Sequence, residues 1–183
     1  MTPSLAHRMR VPWILWAAML MSTGVYLLVL AVAQRAEAPP DRLMAILLNV
    51  VALGIAVSSV AVPLLLWRVA RATLEPGVDE VPDHDAEPGL FRDAVPTKRV
   101  IPEGRELVAE ALTKVFTPFV LSLALSEAVC IFGFLVAFLG HPPLLWVPLY
   151  ALGVVLLLLR APKLSRLVRN LEAHFDAELA GVP

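Results

Sequence analysis

The sequence predicts an all-α polytopic membrane protein: four transmembrane helices forming two hairpins, with amphipathic helices on the cytoplasmic side. Three observations carry this prediction. Hydrophobic residues make up 58% of the 183, and the mean hydropathy is +0.76, above the roughly half-apolar composition of soluble domains. Four apolar runs come close to or exceed the ~20 residues needed to cross ~30 Å of hydrocarbon at 1.5 Å per residue. Lysine and arginine are then shared very unequally among the connecting segments, and cytoplasmic flanks are the ones that retain them.

The first run covers residues 12–33 and follows Arg8 and Arg10. Its basic start, apolar stretch and Ala31-Val32-Ala33 end imitate a secretory signal peptide. A signal core has only about 7 to 15 apolar residues, so this longer run reads as a retained span. The second run covers residues 43–67, the third 118–140 and the fourth 143–159. With both termini in the cytoplasm, thirteen of the fifteen basic residues fall inside and only Arg35 and Arg42 outside. Trp13, Trp16, Trp67 and Trp146 lie toward span ends, where aromatic belts form.

The resulting division is a first transmembrane hairpin at 1–67, a cytoplasmic linker at 68–102, an amphipathic helix with the second hairpin at 103–160, and an amphipathic tail at 161–183. Proline, glycine and acidic residues dominate 75–96, where Glu75-Pro76-Gly77 is echoed by Glu87-Pro88-Gly89, which reads as a flexible linker. Its Asp79, Glu80, Asp83, His84, Asp85 and Glu87 are interrupted by prolines and lack EF-hand spacing, so they read as a solvated charge run and not a metal site. From Glu103 onward Leu107, Val108, Ala111, Leu112, Val115 and Phe116 make one apolar helical face. That face is expected to rest on the inner leaflet or on a neighbouring helix until Pro118 opens the third span. In the tail Leu164, Leu167, Val168, Leu171 and Phe175 form a stripe, with Lys163, Arg166 and Arg169 beside it; the expectation is an anchor on the anionic lipid surface or a protein-docking helix.

Several function classes drop out. The net charge is -1 and no basic stretch has the pattern of a nucleic-acid site. Cys130 is the single cysteine, so neither an internal disulfide nor a Cys-based metal centre is expected. The spans contain no HExxH, GxSxG or aspartyl pair, and His7, His84, His141 and His174 all fall in loops or tails. No catalytic residue, metal or cofactor is therefore expected, and the chain reads as a non-enzyme.

Glu127 alone points toward chemistry. An ionised carboxylate near mid-bilayer costs about 2.5 to 3.5 kcal/mol, so it has to be protonated, paired or facing water. No lysine, arginine or histidine lies deep in any span, which favours the protonated carboxyl. Counting from the cytoplasmic ends of the other spans brings Ser22, Thr23, Ser58, Ser59 and Tyr150 to its depth, a candidate polar layer whose hydroxyls suit either form of the acid. Ser122, Ser126, Cys130, Gly133 and Ala137 step along the same helix by three or four, a small-residue stripe that lets another helix approach.

The run Ser126-Glu127-Ala128-Val129-Cys130-Ile131-Phe132-Gly133-Phe134-Leu135-Val136-Ala137-Phe138-Leu139 resembles the ion-binding helix of rotary ATPase proteolipids, the subunit c family. The resemblance covers about fourteen residues of this chain. It implies that Glu127 binds a transported proton or cation. The family's preceding glycine-repeat helix has only Gly54 as its counterpart here, and about fifty residues replace its short polar loop. The chain as a whole also resembles small four-span bacterial membrane proteins with a Leu-Ala-x-x-Glu-Ala third helix, which implies a bacterial inner (plasma) membrane and no particular activity. Two functions are carried forward: a non-enzymatic scaffold or accessory subunit of a membrane complex, or a proton- or cation-translocating subunit using Glu127. The partners expected are the lipid bilayer and either a second copy or another membrane protein.

Overall fold

The computed structural model describes residues 5–32, 41–82 and 97–180. Its long apolar runs are helices, because only a helix satisfies its own backbone donors and acceptors where water is excluded. They are α1 at Leu5–Val32, α2 at Arg42–Ala72, α3 at Gly104–Phe138, α4 at Pro143–Leu159 and α5 at Leu164–Phe175. Met9–Val32, Arg42–Ala72 and Glu106–Phe138 are each long and apolar enough to cross a membrane. α4 is too short to join them by itself and reaches that length only together with α5, from which it is bent by 69°. The chain is thus a helical protein of membrane-spanning character. Arg35, Arg92, the echo at 87–89, the end of the apparent cleavage motif at Ala33 and the acids from Asp83 to Glu87 lie outside the described residues.

Local chemistry sets several boundaries. The Asp41 carboxylate accepts from the Leu43 amide at 2.9 Å and caps α2. Pro143 opens α4, a position where its missing N–H costs nothing. At the end of α3, Gly140 takes a left-handed φ of 82°. Its amide donates to the Ala137 carbonyl at 3.0 Å and the His141 amide donates to Val136 at 3.3 Å, the paired bonds of a Schellman ending.

α3 is the hub: α1, α2 and α4 all pack against it. This differs from the expected first hairpin, because α1 and α2 make no comparable contact with one another. α1 meets α3 through the polar and aromatic contacts of Ser22 and Tyr26 with Glu127 and Phe134, whereas α1 and α2 keep large side chains such as Val25, Leu28, Leu47 and Val50 outward. α3 and α4 do form an antiparallel hairpin. Gly133 meets the backbone of Tyr150, and Gly153 meets that of Cys130 and Ser126. Cross-contacts of Ser22 with Glu127 and Tyr26 with Phe134 make α1 parallel to α3. Lys114 meets Thr73 at the end of α2, and Arg160 joins Ser122, later in α3, to Ser59, earlier in α2, so α2 is antiparallel to α3.

Pro118 does not begin a new helix; it lies inside α3. The proline removes one backbone bond, but apolar packing on both sides of it carries the helix through. On one side Leu123, Val129 and Val136 are fully buried in the bundle, and on the other Val108 and Ala111 are fully buried.

A further departure is a small sheet. Part of the expected linker forms β1 at Asp79–Pro82 and β2 at Thr97–Ile101, joined by β3 at Glu178–Leu179. β1 and β2 are antiparallel, while β2 and β3 are parallel, with Ile101 opposite Leu179. Lys98 bridges Glu178 at 3.0 Å across that pair. Beneath it Leu74, Ile101, Leu107, Val108, Ala111, Leu171, Ala177 and Leu179 make a core, onto which Leu164, Leu167, Val168 and Phe175 pack. Much of the amphipathic face of the 103–116 segment and of the tail is therefore buried in this shared core, while Phe116 stays exposed.

Candidate functional site

Two polar centres lie within the bundle, both built on α3. At the first, Glu127 Oε1 accepts from the Tyr26 hydroxyl at 3.0 Å and from the Ser22 hydroxyl. Ser22 and Tyr26 are one helical turn apart and so share a face of α1. Glu127 is half-buried. Among the described residues no cation forms a salt bridge with it, and no donor reaches its Oε2.

The proton inventory at this centre is informative. Ser22 Oγ also lies 2.7 Å from the Met19 carbonyl, and a serine hydroxyl has one hydrogen to give. If it goes to Glu127, a carboxylate is held by two hydroxyl donors. If it goes to Met19, the Ser22–Glu127 contact needs a proton on the carboxyl, which then donates to Ser22. The same heavy atoms suit both states.

The second centre surrounds Arg160, the residue that ends α4. Its guanidinium turns back into the bundle. One nitrogen donates to the Ser122 carbonyl at 2.8 Å and to the Ser126 hydroxyl, both on α3. The other donates to the carbonyl and hydroxyl of Ser59 on α2. Pro63 stands four residues after Ser59 inside α2 and has no N–H to offer that carbonyl. Ser59 is fully buried, so its freed acceptor would otherwise remain unpaired in apolar surroundings. Arg160 supplies the missing donor.

The predicted polar layer is thus divided. Ser22 meets Glu127. Thr23 does not: its hydroxyl donates to Leu20 at 2.7 Å, and its carbonyl accepts from the Tyr150 hydroxyl. Ser58 donates to Gly54 at 2.9 Å, and Ser59 belongs to the arginine centre. Tyr150 fixes α4 to α1, as does the Trp16 indole, which donates to the Leu157 carbonyl at 2.8 Å. In the small-residue stripe, Ser122, Ser126, Cys130, Gly133 and Ala137 are all buried. The Cys130 thiol donates to the Tyr150 carbonyl at 3.7 Å, a packing contact.

Sequence reasoning missed Tyr26 and Arg160. Tyr26 was legible as the residue one turn beyond Ser22. Arg160 read as a cytoplasmic flank, and only the length and flexibility of its side chain allow it to serve a site inside the bundle. His141, expected at the outer interface, is 5% exposed.

No family model, curated protein or solved structure matches this chain. Its function must be argued from the two centres. Among the described residues, no three His, Cys, Asp or Glu side chains gather as a metal site.

Proposed function

We propose that this chain is a non-enzymatic integral membrane scaffold or accessory subunit of a membrane complex. The observation that carries the reading is how its buried polar groups are used. Glu127 joins α3 to α1, and Arg160 joins the end of α4 to α2 and α3. Both fasten helices together. α1 and α2 meanwhile keep most of their apolar surface free of intramolecular contact, which leaves long faces for lipid and for the helices of a partner or a second copy.

In this reading α4 crosses as a short fourth span. Its 17 residues reach about 25 Å at 1.5 Å per residue, and local thinning of the bilayer accommodates the shortfall. Both termini then face the cytoplasm of a bacterial inner membrane, in keeping with the thirteen basic residues on that side. The test is affinity purification in mild detergent followed by native mass spectrometry. A hetero-complex or defined homo-oligomer that survives Glu127→Gln supports the scaffold; a bare monomer in every mild detergent ends it.

One observation favours a second reading, reversible proton or cation binding at Glu127 of the kind the proteolipid resemblance implies. The shared hydrogen of Ser22 accommodates a charged or a neutral carboxyl without moving the helices. Here a carbodiimide labels wild-type protein at Glu127, and Ser22→Ala alters the pH dependence of labelling. A wild-type protein inert to carbodiimide across pH 5–9 rules this reading out.

A further inference from the structure

A pocket of about 290 Å³ opens where the start of α1, the end of α2, α3 and the α4–α5 corner meet. Pro12, Trp67, Phe116 and Phe119 give it an apolar wall, and Lys163 and Arg166, the latter also donating to the Leu159 carbonyl at 3.4 Å, line it as well. A second groove adjoins it along Lys163 and Leu164 and carries Arg10 and the half-exposed Trp13. Among the described residues no acidic side chain lines either groove. Among the described residues the ion pairs are Lys98–Glu178, Arg99–Asp176 and Lys114–Glu110, so none neutralises Arg10, Lys163 or Arg166.

The place in the fold matters as much as the charge. The pocket lies at the end of the bundle where α1 begins and α4 ends, bordering the small polar-surfaced core beneath the sheet. For helices of spanning length this is the boundary between hydrocarbon and water. Cations held there above an apolar wall match an amphiphile with an anionic head and a chain. The volume lies near the low end of ligand pockets, ~300 to 1,000 Å³, enough to seat the upper part of one lipid chain while the rest of that lipid stays in the bilayer.

We infer that this pocket binds one anionic phospholipid, its phosphate over Lys163 and Arg166 and an acyl chain along Phe116 and Phe119. The site is separate from Glu127 and stands whether or not that residue binds an ion. Arg160 also lines the pocket, but its guanidinium is committed to α2 and α3.

The test is native mass spectrometry of the full chain in a nonionic detergent, titrated with phosphatidylglycerol or with phosphatidylcholine of the same acyl chains. Phosphatidylglycerol is expected to bind at least about tenfold more tightly, since each basic residue near such a headgroup contributes about a fivefold factor. Lys163→Gln with Arg166→Gln then weakens it about twenty-five-fold by the same factor. Lys163→Arg with Arg166→Lys retains binding, which separates loss of charge from loss of fold. Arg169→Gln is the control, because Arg169 is exposed on α5 and lines neither groove. Equal binding of the two lipids overturns the inference, as does an Arg169→Gln loss equal to that of Arg166→Gln. Displacement of the lipid by glycerol phosphate at the same concentration would show that the pocket takes a free phosphorylated solute, and the lipid assignment would fall.

Discussion

The guanidinium of Arg160 donates to the Ser59 carbonyl, which Pro63 has deprived of its helical donor. A gap in one helix is filled by the last residue of another, and the fold depends on the match. Arg160→Met should destabilise the protein by about 1.5–3 kcal/mol, the range for hydrogen bonds made by a charged donor. In a Pro63→Ala background the Ser59 carbonyl regains an intrahelical donor, so the same arginine substitution should cost about 1 kcal/mol less. Unfolding in mixed detergent measures the cycle; strict additivity of the two changes would disprove the coupling.

Ser22 and Glu127 should be coupled in the same sense. Interhelical hydrogen bonds in membranes average about 0.6 kcal/mol and reach about 1.7, so the Ser22→Ala and Glu127→Gln cycle should give a coupling energy within that range. Tyr26→Phe should couple to Glu127→Gln as well, while Ser58→Ala should not, since its hydroxyl faces Gly54. A Ser58 coupling as large as that of Ser22 would contradict the geometry.

Gly153 is the tightest point of the α3–α4 hairpin. A Cβ there would lie 2.8 Å from the Cys130 amide nitrogen and 3.0 Å from the Ser126 carbonyl oxygen. Backbone cannot yield as a side-chain tip can, so Gly153→Ala should cost about 1–3 kcal/mol. At Gly24 an added Cβ would meet nothing within 4 Å, so alanine should be accepted there without loss when both variants are compared in a thermal-shift assay.

Leu171 tests the small core outside the bundle. It is fully buried with Leu74, Ile101, Val108 and Leu179, so Leu171→Ala should cost about 2–5 kcal/mol there. The measurable consequence is faster tryptic cutting at the exposed Arg166 and Arg169, with the bundle fragment left intact. Unchanged cutting would mean that α5 is held by something other than this core.

The sequence by itself determined the helices and the acid. Apolar run length and composition mark α1, α2, α3 and α4, since a segment without water must hydrogen-bond to itself. Glu127 is conspicuous because a carboxylate in such a run needs a reason. Equal counting along the spans from their cytoplasmic ends was enough to bring Ser22 to it, because the rise per residue is fixed.

Only the tertiary structure decided which helix meets which and where the long side chains end. Nothing local specifies that α1 packs on α3 in preference to α2, or that Arg160 turns inward to Ser59. Those outcomes depend on the hydroxyls of Ser22 and Tyr26 finding Glu127 on another helix and on a carbonyl freed by a proline in a different helix. The sheet was hidden for the same reason: the parallel pairing of β2 with β3 joins residues nearly eighty positions apart, and hydrophobic periodicity reports faces without naming the partners that cover them.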